Sequence, residues 1–253
     1  MKPTKMLAAA LGLFAGLAIS AQAMAGQTNI AVAANFTDAA KEIAAAFKAK
    51  SGHDAVLSFG ATGALYTQIT QGAPFEILLS ADGEHPKKAI DNGLGVADSR
   101  FTYAIGKLVL WSKNADLVKG EATLKGGAFT KIAIANPTAA PYGAAAVETL
   151  KALKLDETLQ PKIVQGNSIA QTFQFIDTAN AELGFIALSQ LAGKTEGSRW
   201  MVPQTLYSPI KQDAVLLKKG ASNEAATAFM TFMKGAEARA IIEKYGYAID
   251  GQS

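Results

Sequence analysis

The sequence predicts an α/β protein of two lobes, joined by two hinge strands, with a ligand cleft between them. Three observations predict it. Short apolar runs alternate with longer amphipathic ones after residue 26, which is the pattern of βα units carrying a mainly parallel sheet covered on both faces. The alternation breaks near residues 101–111 into a long extended stretch, resumes as a second series, and turns extended again near 207–210. A chain that leaves one lobe, builds another and returns is held by two strands, a geometry suited to hinge closure. Finally, four loops that follow predicted strands carry small or polar residues where a helix begins. On pattern alone the alternative is one continuous sheet.

The first 25 residues stand apart. Lys2 and Lys5 precede an apolar run at 6–19, and Ala21-Gln22-Ala23 and Ala23-Met24-Ala25 are overlapping small-x-small sites. That layout reads as a cleavable export signal over residues 1–25. A membrane anchor is the competing reading, but Ser20, Gln22 and several alanines make the last third too polar and too small. The expected mature chain is therefore soluble and periplasmic. Without Lys2 and Lys5 of the leader it carries 22 Lys and Arg against 21 Asp and Glu, and it offers no electrostatic footprint for nucleic acid. The absence of cysteine excludes disulfides, a thiolate nucleophile and a lipoprotein anchor.

In order, 29–33 reads as a strand running into a loop where Asn35 or Thr37 can cap a helix that stops at Gly52. The second strand is 55–59. Gly60, Ala61, Thr62 and Gly63 then turn the chain into a helix ending near Gly72, with Thr62 at or near its N-cap. The third strand is 75–79, and 80–83 leads to a helix ending near Gly93. Extended runs at 101–105 and 108–111 are separated by Gly106. The second series has strands at 131–135, 162–164 and 183–187. Its helices span about 144–153 and from Gly166-Asn167-Ser168 to about 179. A last strand at 213–217 and helices at about 222–234 and 236–245 complete the chain. The implied lobes are 26–104 with 209–253, and 105–208.

Ligands of open α/β sheets bind beyond the carboxyl ends of the strands, where the helix starts at Asn35, Thr62, Tyr142 and Ser168 all fall. A helix start presents unpaired N–H groups and the positive end of the peptide dipole. Alone, one such start is an ordinary cap. Repeated twice in each lobe, and without Lys or Arg in any of the loops, the design suits a divalent anion held by neutral donors. Those donors are backbone N–H groups, the Asn35 amide, the Thr62 hydroxyl and the Tyr142 hydroxyl. Hydrogen bonds to a charged group contribute about 1.5–3 kcal/mol each, so five or six support tight binding after desolvation.

Specific runs carry a resemblance. Val32-Ala33-Ala34-Asn35-Phe36, Phe59-Gly60-Ala61-Thr62-Gly63, the stretch from Gly72 to Asp82, Asn136-Pro137 with Ala140-Pro141-Tyr142-Gly143, Glu182-Leu183-Gly184-Phe185 and Lys244-Tyr245-Gly246-Tyr247 resemble the periplasmic molybdate-binding proteins of bacterial ABC transporters. The similarity covers essentially the whole mature chain. It implies a class II periplasmic-binding fold that closes over molybdate or tungstate, a membrane permease as partner, a monomer, and no cofactor. It places oxyanion contacts on Ala34, Asn35, Thr62, Tyr142 and the backbone N–H of Ile169, with the metal present only inside the oxyanion and no direct protein ligand to it. Many members have serine at the positions of Asn35 and Thr62. Some use a tyrosine at the position of Ala187, a role the resemblance transfers to Tyr142 here.

Other features have plainer readings. His53 and His85 lack metal-ligand spacing. Glu76 and Asp82 are expected to hold loops or cap a helix rather than act as an acid/base pair. Phe229, Phe232 and Met233 read as helix core, and Lys87-Lys88 and Lys218-Lys219 as solvated faces. No nucleophile elbow, P-loop or dinucleotide fingerprint occurs, so an exported enzyme is disfavoured. A protein of the same fold for sulfate or another small oxyanion is the rival binding reading, separable only by cavity size.

Overall fold

The computed structural model describes residues 25–249; the leader read over 1–25 lies outside them except for Ala25. In chain order the elements are β1 (Gln27–Ala33), α1 (Thr37–Ser51), β2 (Asp54–Gly60), α2 (Thr62–Thr70), β3 (Ile77–Leu79), α3 (Glu84–Asp91), β4 (Phe101–Gly106) and β5 (Leu108–Ser112). They continue as α4 (Glu121–Gly126), β6 (Ile132–Ala135), α5 (Pro141–Ala152), α6 (Asp156–Leu159), β7 (Ile163–Gly166), α7 (Ile169–Asp177), β8 (Leu183–Ala187), β9 (Ser198–Met201), β10 (Ile210–Leu216), α8 (Glu224–Met233) and α9 (Ala236–Lys244).

The strands form two separate sheets, in the orders β2-β1-β3-β10-β4 and β7-β6-β8-β5-β9. Each opens with three parallel strands and ends with antiparallel pairings made by β10 or β5. Burial on both faces explains the near-continuous apolar runs. In the first sheet Ile30, Val32, Ile77, Leu79 and Leu216 pack beneath α1, α8 and α9, through Ile43, Phe47, Phe229, Met233 and Ile242. The intervening Ala31, Leu78 and Val215 meet Leu65 and Ile69 of α2 and Ala89 of α3 on the other face. The second sheet repeats this, with Leu110, Ile132, Ile134 and Phe185 against α5 and Val109, Ala133 and Ile186 against Ile176 of α7.

The crossings sit where the pairing changes sheet. Ile105 and Gly106 still pair with Lys211 and Ile210, so the first lobe extends two residues beyond the expected boundary at 104 and the chain crosses at Lys107. The carbonyl of Lys107 accepts from Leu188 N at 2.9 Å. The second crossing lies between β9 and β10. Two further differences have local causes. β9 was not expected: it is a four-residue edge strand paired only with β5, and its sequence has too little alternation to read. Neither Asn35 nor Thr37 caps α1. Residues Ala34–Phe36 form a 3₁₀ turn entered from Ala33, and Thr37 Oγ1 donates back to Ala34 O at 2.8 Å.

Candidate functional site

All five residues expected at the site border one small cavity between the lobes. Ala34, Asn35, Thr62, Tyr142 and Ile169 line it, joined by Ala33, Gly60, Ala61, Ala81, Ala140 and Pro141. No charged side chain is among them. The cavity is small, about 10 Å³, which excludes a bulky organic solute. A groove of about 520 Å³ nearby is larger, but three carboxylates, Asp82, Glu84 and Glu148, line it against Lys211 and His85, an excess of acid that disfavours an anion.

Each helix start reaches the cavity with donors to spare. Ala33, Ala61 and Ala140, the residues that precede the 3₁₀ turn, α2 and α5, make no side-chain cap, so first-turn N–H groups are left for other partners. Pro141 opens α5 and has no N–H, which makes the Tyr142 N–H the first on that helix. Ser168 caps α7 by accepting from Gln171 N at 3.3 Å, leaving the N–H of Ile169 uncommitted by the cap.

The side chains divide by role. Thr62, expected at or near the N-cap, is the first residue of α2, with Ala61 at the cap. Its Oγ1 accepts from Ala81 N at 3.0 Å. That bond occupies a lone pair and leaves the hydroxyl hydrogen for the cavity. Tyr142 Oη likewise accepts from Gln212 Nε2 at 3.3 Å. Burial is the leading cause that raises the Tyr142 hydroxyl well above its ordinary range, so it stays a donor at neutral pH. Asn35 differs from expectation. Its Nδ2 donates to Gln212 Oε1 at 2.8 Å and to Tyr247 Oη at 3.0 Å, which commits both amide hydrogens. What Asn35 offers the cavity is its backbone.

Sequence reasoning missed the layer behind these groups. Gln212, Tyr103, Tyr247 and Ser189 are buried. Tyr103 Oη donates to Ser80 O at 3.0 Å and contacts Gln212 Oε1 at 3.2 Å. Ser189 Oγ and Tyr247 Oη each reach Asn35 O at 2.8 Å. The sequence signal was weak: Gln212 stands between Lys211 and Asp213 in β10, just outside the strand expected at 213–217. Ala187 is buried at the end of β8 and does not border the cavity. His53 accepts from Gly26 N, and no metal-binding group of three His, Cys, Asp or Glu residues occurs among the described residues. Glu76 holds Asn29 N and Asn223 Nδ2, and Asp82 accepts from His85 N at 2.9 Å at the start of α3. Both are structural carboxylates, as expected.

Among the described residues, polar contacts that join the lobes around the cavity include Gly63 N donating to Ala139 O at 2.9 Å, Gln212 with Tyr142, Ser189 with Asn35, and Ser189 with Tyr247. Two α/β lobes closed over a polar cavity of this kind define a solute-binding protein, and the chain belongs to the bacterial extracellular solute-binding protein family, whose model matches residues 28–248. It is 54% identical over 243 residues to the molybdate-binding protein ModA of Rhodobacter capsulatus, covering 96% of each chain. It is 52% identical over 247 residues to that of Azotobacter vinelandii, covering 96% of this chain and 97% of the other. The solved periplasmic molybdate-binding protein of A. vinelandii superposes with a TM-score of 0.85 at 41% identity, covering 88% of this chain and 99% of that one.

Proposed function

We propose that this protein captures molybdate, and tungstate with it, in the interlobe cavity and delivers it to the permease of an ABC transporter. The observation that carries this reading is the convergence of four helix starts, two from each lobe, on one small cavity without a charged side chain. Relatives named for molybdate at 54% and 52% identity support the choice of oxyanion.

In this reading the backbone N–H groups of Ala34, Asn35 and Ile169 and the hydroxyls of Thr62 and Tyr142 each donate to an oxygen of the anion. At about 1.5–3 kcal/mol per charged hydrogen bond, these donors offset the cost of stripping water from a dianion. Neutral donors favour a fully deprotonated oxyanion, because an anion carrying its own proton would meet donors only. The protein binds and releases without chemistry and without a cofactor, and molybdenum or tungsten enters only within the oxyanion. The leader at 1–25 directs it to the periplasm, where it acts as a monomer.

Titration calorimetry of the purified mature chain with molybdate, tungstate and sulfate tests this. Tight binding of the first two with sulfate much weaker is expected. Sulfate binding as tightly as molybdate would assign the site to the rival oxyanion, and no binding of any of the three would remove the oxyanion reading.

A further inference from the structure

We propose that Gln212 is a positioning residue of this site: from the first lobe it sets the hydroxyl of Tyr142, in the second lobe, as a donor to the anion once the cleft has closed. The proposal rests on the oxyanion reading above.

The geometry leaves the Gln212 amide one orientation. Pairing between β10 and β4 steps from Gln212 opposite Ala104 to Asp213 opposite Thr102, a bulge at Tyr103 that re-aims neighbouring side chains. Gln212 is fully buried. One end of its amide faces Asn35 Nδ2 at 2.8 Å, and that Nδ2 is assigned by its second contact, Tyr247 Oη, whose own hydrogen is directed at Asn35 O. An Asn Nδ2 can only donate, so that end is the oxygen. The other end, Nε2, therefore faces Tyr142 Oη, at 3.3 Å. An amide N–H cannot accept, so the tyrosine oxygen does, and its hydrogen must point away from Gln212. Tyr142 borders the cavity, and the cavity is where that hydrogen finds an oxyanion.

A second observation concerns Gly106, the last residue of β4 before the first crossing. A Cβ built there would overlap Tyr142 Oη and stand 2.9 Å from Tyr142 Cζ and 2.8 Å from Gln212 Nε2. Glycine at the hinge lets the tyrosine ring seat against the amide. Because Gln212 lies in β10 of the first sheet and Tyr142 on α5, which packs on the second, their contact depends on the lobes being closed. Tyr142 becomes a directed donor on closure, which ties the full donor set to the closed state.

The test is a double-mutant cycle read by calorimetry with molybdate, together with a pH profile. Gln212→Met alone is expected to weaken binding by about 10- to 100-fold, the range for one hydrogen bond to a charged group, and to approach the loss in Tyr142→Phe. Added to Tyr142→Phe, Gln212→Met should change affinity less than about threefold, since the group it acts through is gone. Gln212→Glu puts an acceptor against the Tyr142 hydroxyl and a like charge near the anion. Its affinity should fall as pH rises from about 5.5 to 8.5 and recover on protonation, while the wild-type profile is subtracted. Tyr103, Tyr142 and Tyr247 face position 212 and are held neutral, chiefly by burial. Asp213 is tied to Thr102 and Arg100 and Asp82 to His85, so the introduced carboxyl is the variable group. Additive losses in the cycle, or a Gln212→Glu profile parallel to wild type, would overturn the proposal with the oxyanion reading intact. If Gln212→Glu does not fold, the Gln212→Met cycle decides alone. Wild-type protein that binds no molybdate would overturn both.

Discussion

Thr62→Val removes one atom's chemistry and keeps the side chain's shape. Thr62 is 1% exposed, and its Oγ1 accepts from Ala81 N at 3.0 Å. Valine replaces that oxygen with a methyl, so two bonds are lost, and they separate by readout. The donor bond to the anion exists only in the complex. Its loss should weaken molybdate binding by about 1–3 kcal/mol, roughly 5- to 150-fold in Kd. The Ala81 N–H loses its acceptor in free and bound protein alike, so stability should fall by about 1–3 kcal/mol for a buried unsatisfied donor. Thr62→Ser keeps the hydroxyl and should hold affinity within a few-fold. Calorimetry measures the first quantity and a urea titration the second. Unchanged affinity in Thr62→Val, with stability reduced, would show that the hydroxyl serves only Ala81. A serine variant as weak as the valine would show that packing of the side chain at position 62, and not the hydroxyl alone, sets the affinity.

Thr28 is fully buried, and its Oγ1 is the one buried side-chain polar atom without a partner among the described residues. Thr28→Val should raise the urea midpoint by the equivalent of about 0.5–1.5 kcal/mol, and a lower midpoint would refute this. Gly63 lies across the cleft from Ala139, whose Cα would be 3.2 Å from a Cβ at that position. Gly63→Val should hold the lobes apart, raising the molybdate dissociation rate and enlarging the radius of gyration of the liganded protein; a wild-type rate would count against the contact's role in closure. Glu182 has a carboxyl that burial raises, but bonds from Thr130 Oγ1, Thr130 N and Lys131 N outweigh this and lower it from 4.5 to about 2. Its folded pKa is depressed, so its contribution is present above about pH 4.5 and lost as pH falls toward 2. Glu182→Gln should therefore destabilise at pH 7 and match wild type near pH 2, as followed by thermal melts across that range; an equal deficit at both ends would show that ionisation is not the cause.

How much was legible depends on how local the cause is. Strands such as Ile132–Ala135 and Leu183–Ala187 were readable because burial on both faces demands unbroken apolar runs. The four helix starts were readable because small and polar residues recur at the same place in successive βα units. β9 was not, since its pairing with β5 comes from a distant segment rather than from its own alternation. Gln212 lay just outside the strand expected at 213–217, and its partners lie on three other elements, separated by 70 to 177 residues in sequence. The role of the Asn35 side chain was misjudged for the same reason. A cap is a contact within a few residues, whereas Gln212 and Tyr247 claim its amide across the fold.

The sequence by itself determined the two-lobed α/β plan, the neutrality of the binding loops and the identities of Thr62, Tyr142 and Ile169 as residues at helix starts. These follow from hydrophobic periodicity and backbone chemistry that act over a few residues. Tertiary structure alone decided that the helix starts share one cavity of about 10 Å³ and that the Asn35 amide faces the protein. It also decided that Gln212 stands behind Tyr142. Those outcomes depend on which strands pair and how the lobes close, and a hydroxyl's or amide's hydrogen is assigned only when every neighbouring acceptor has a position.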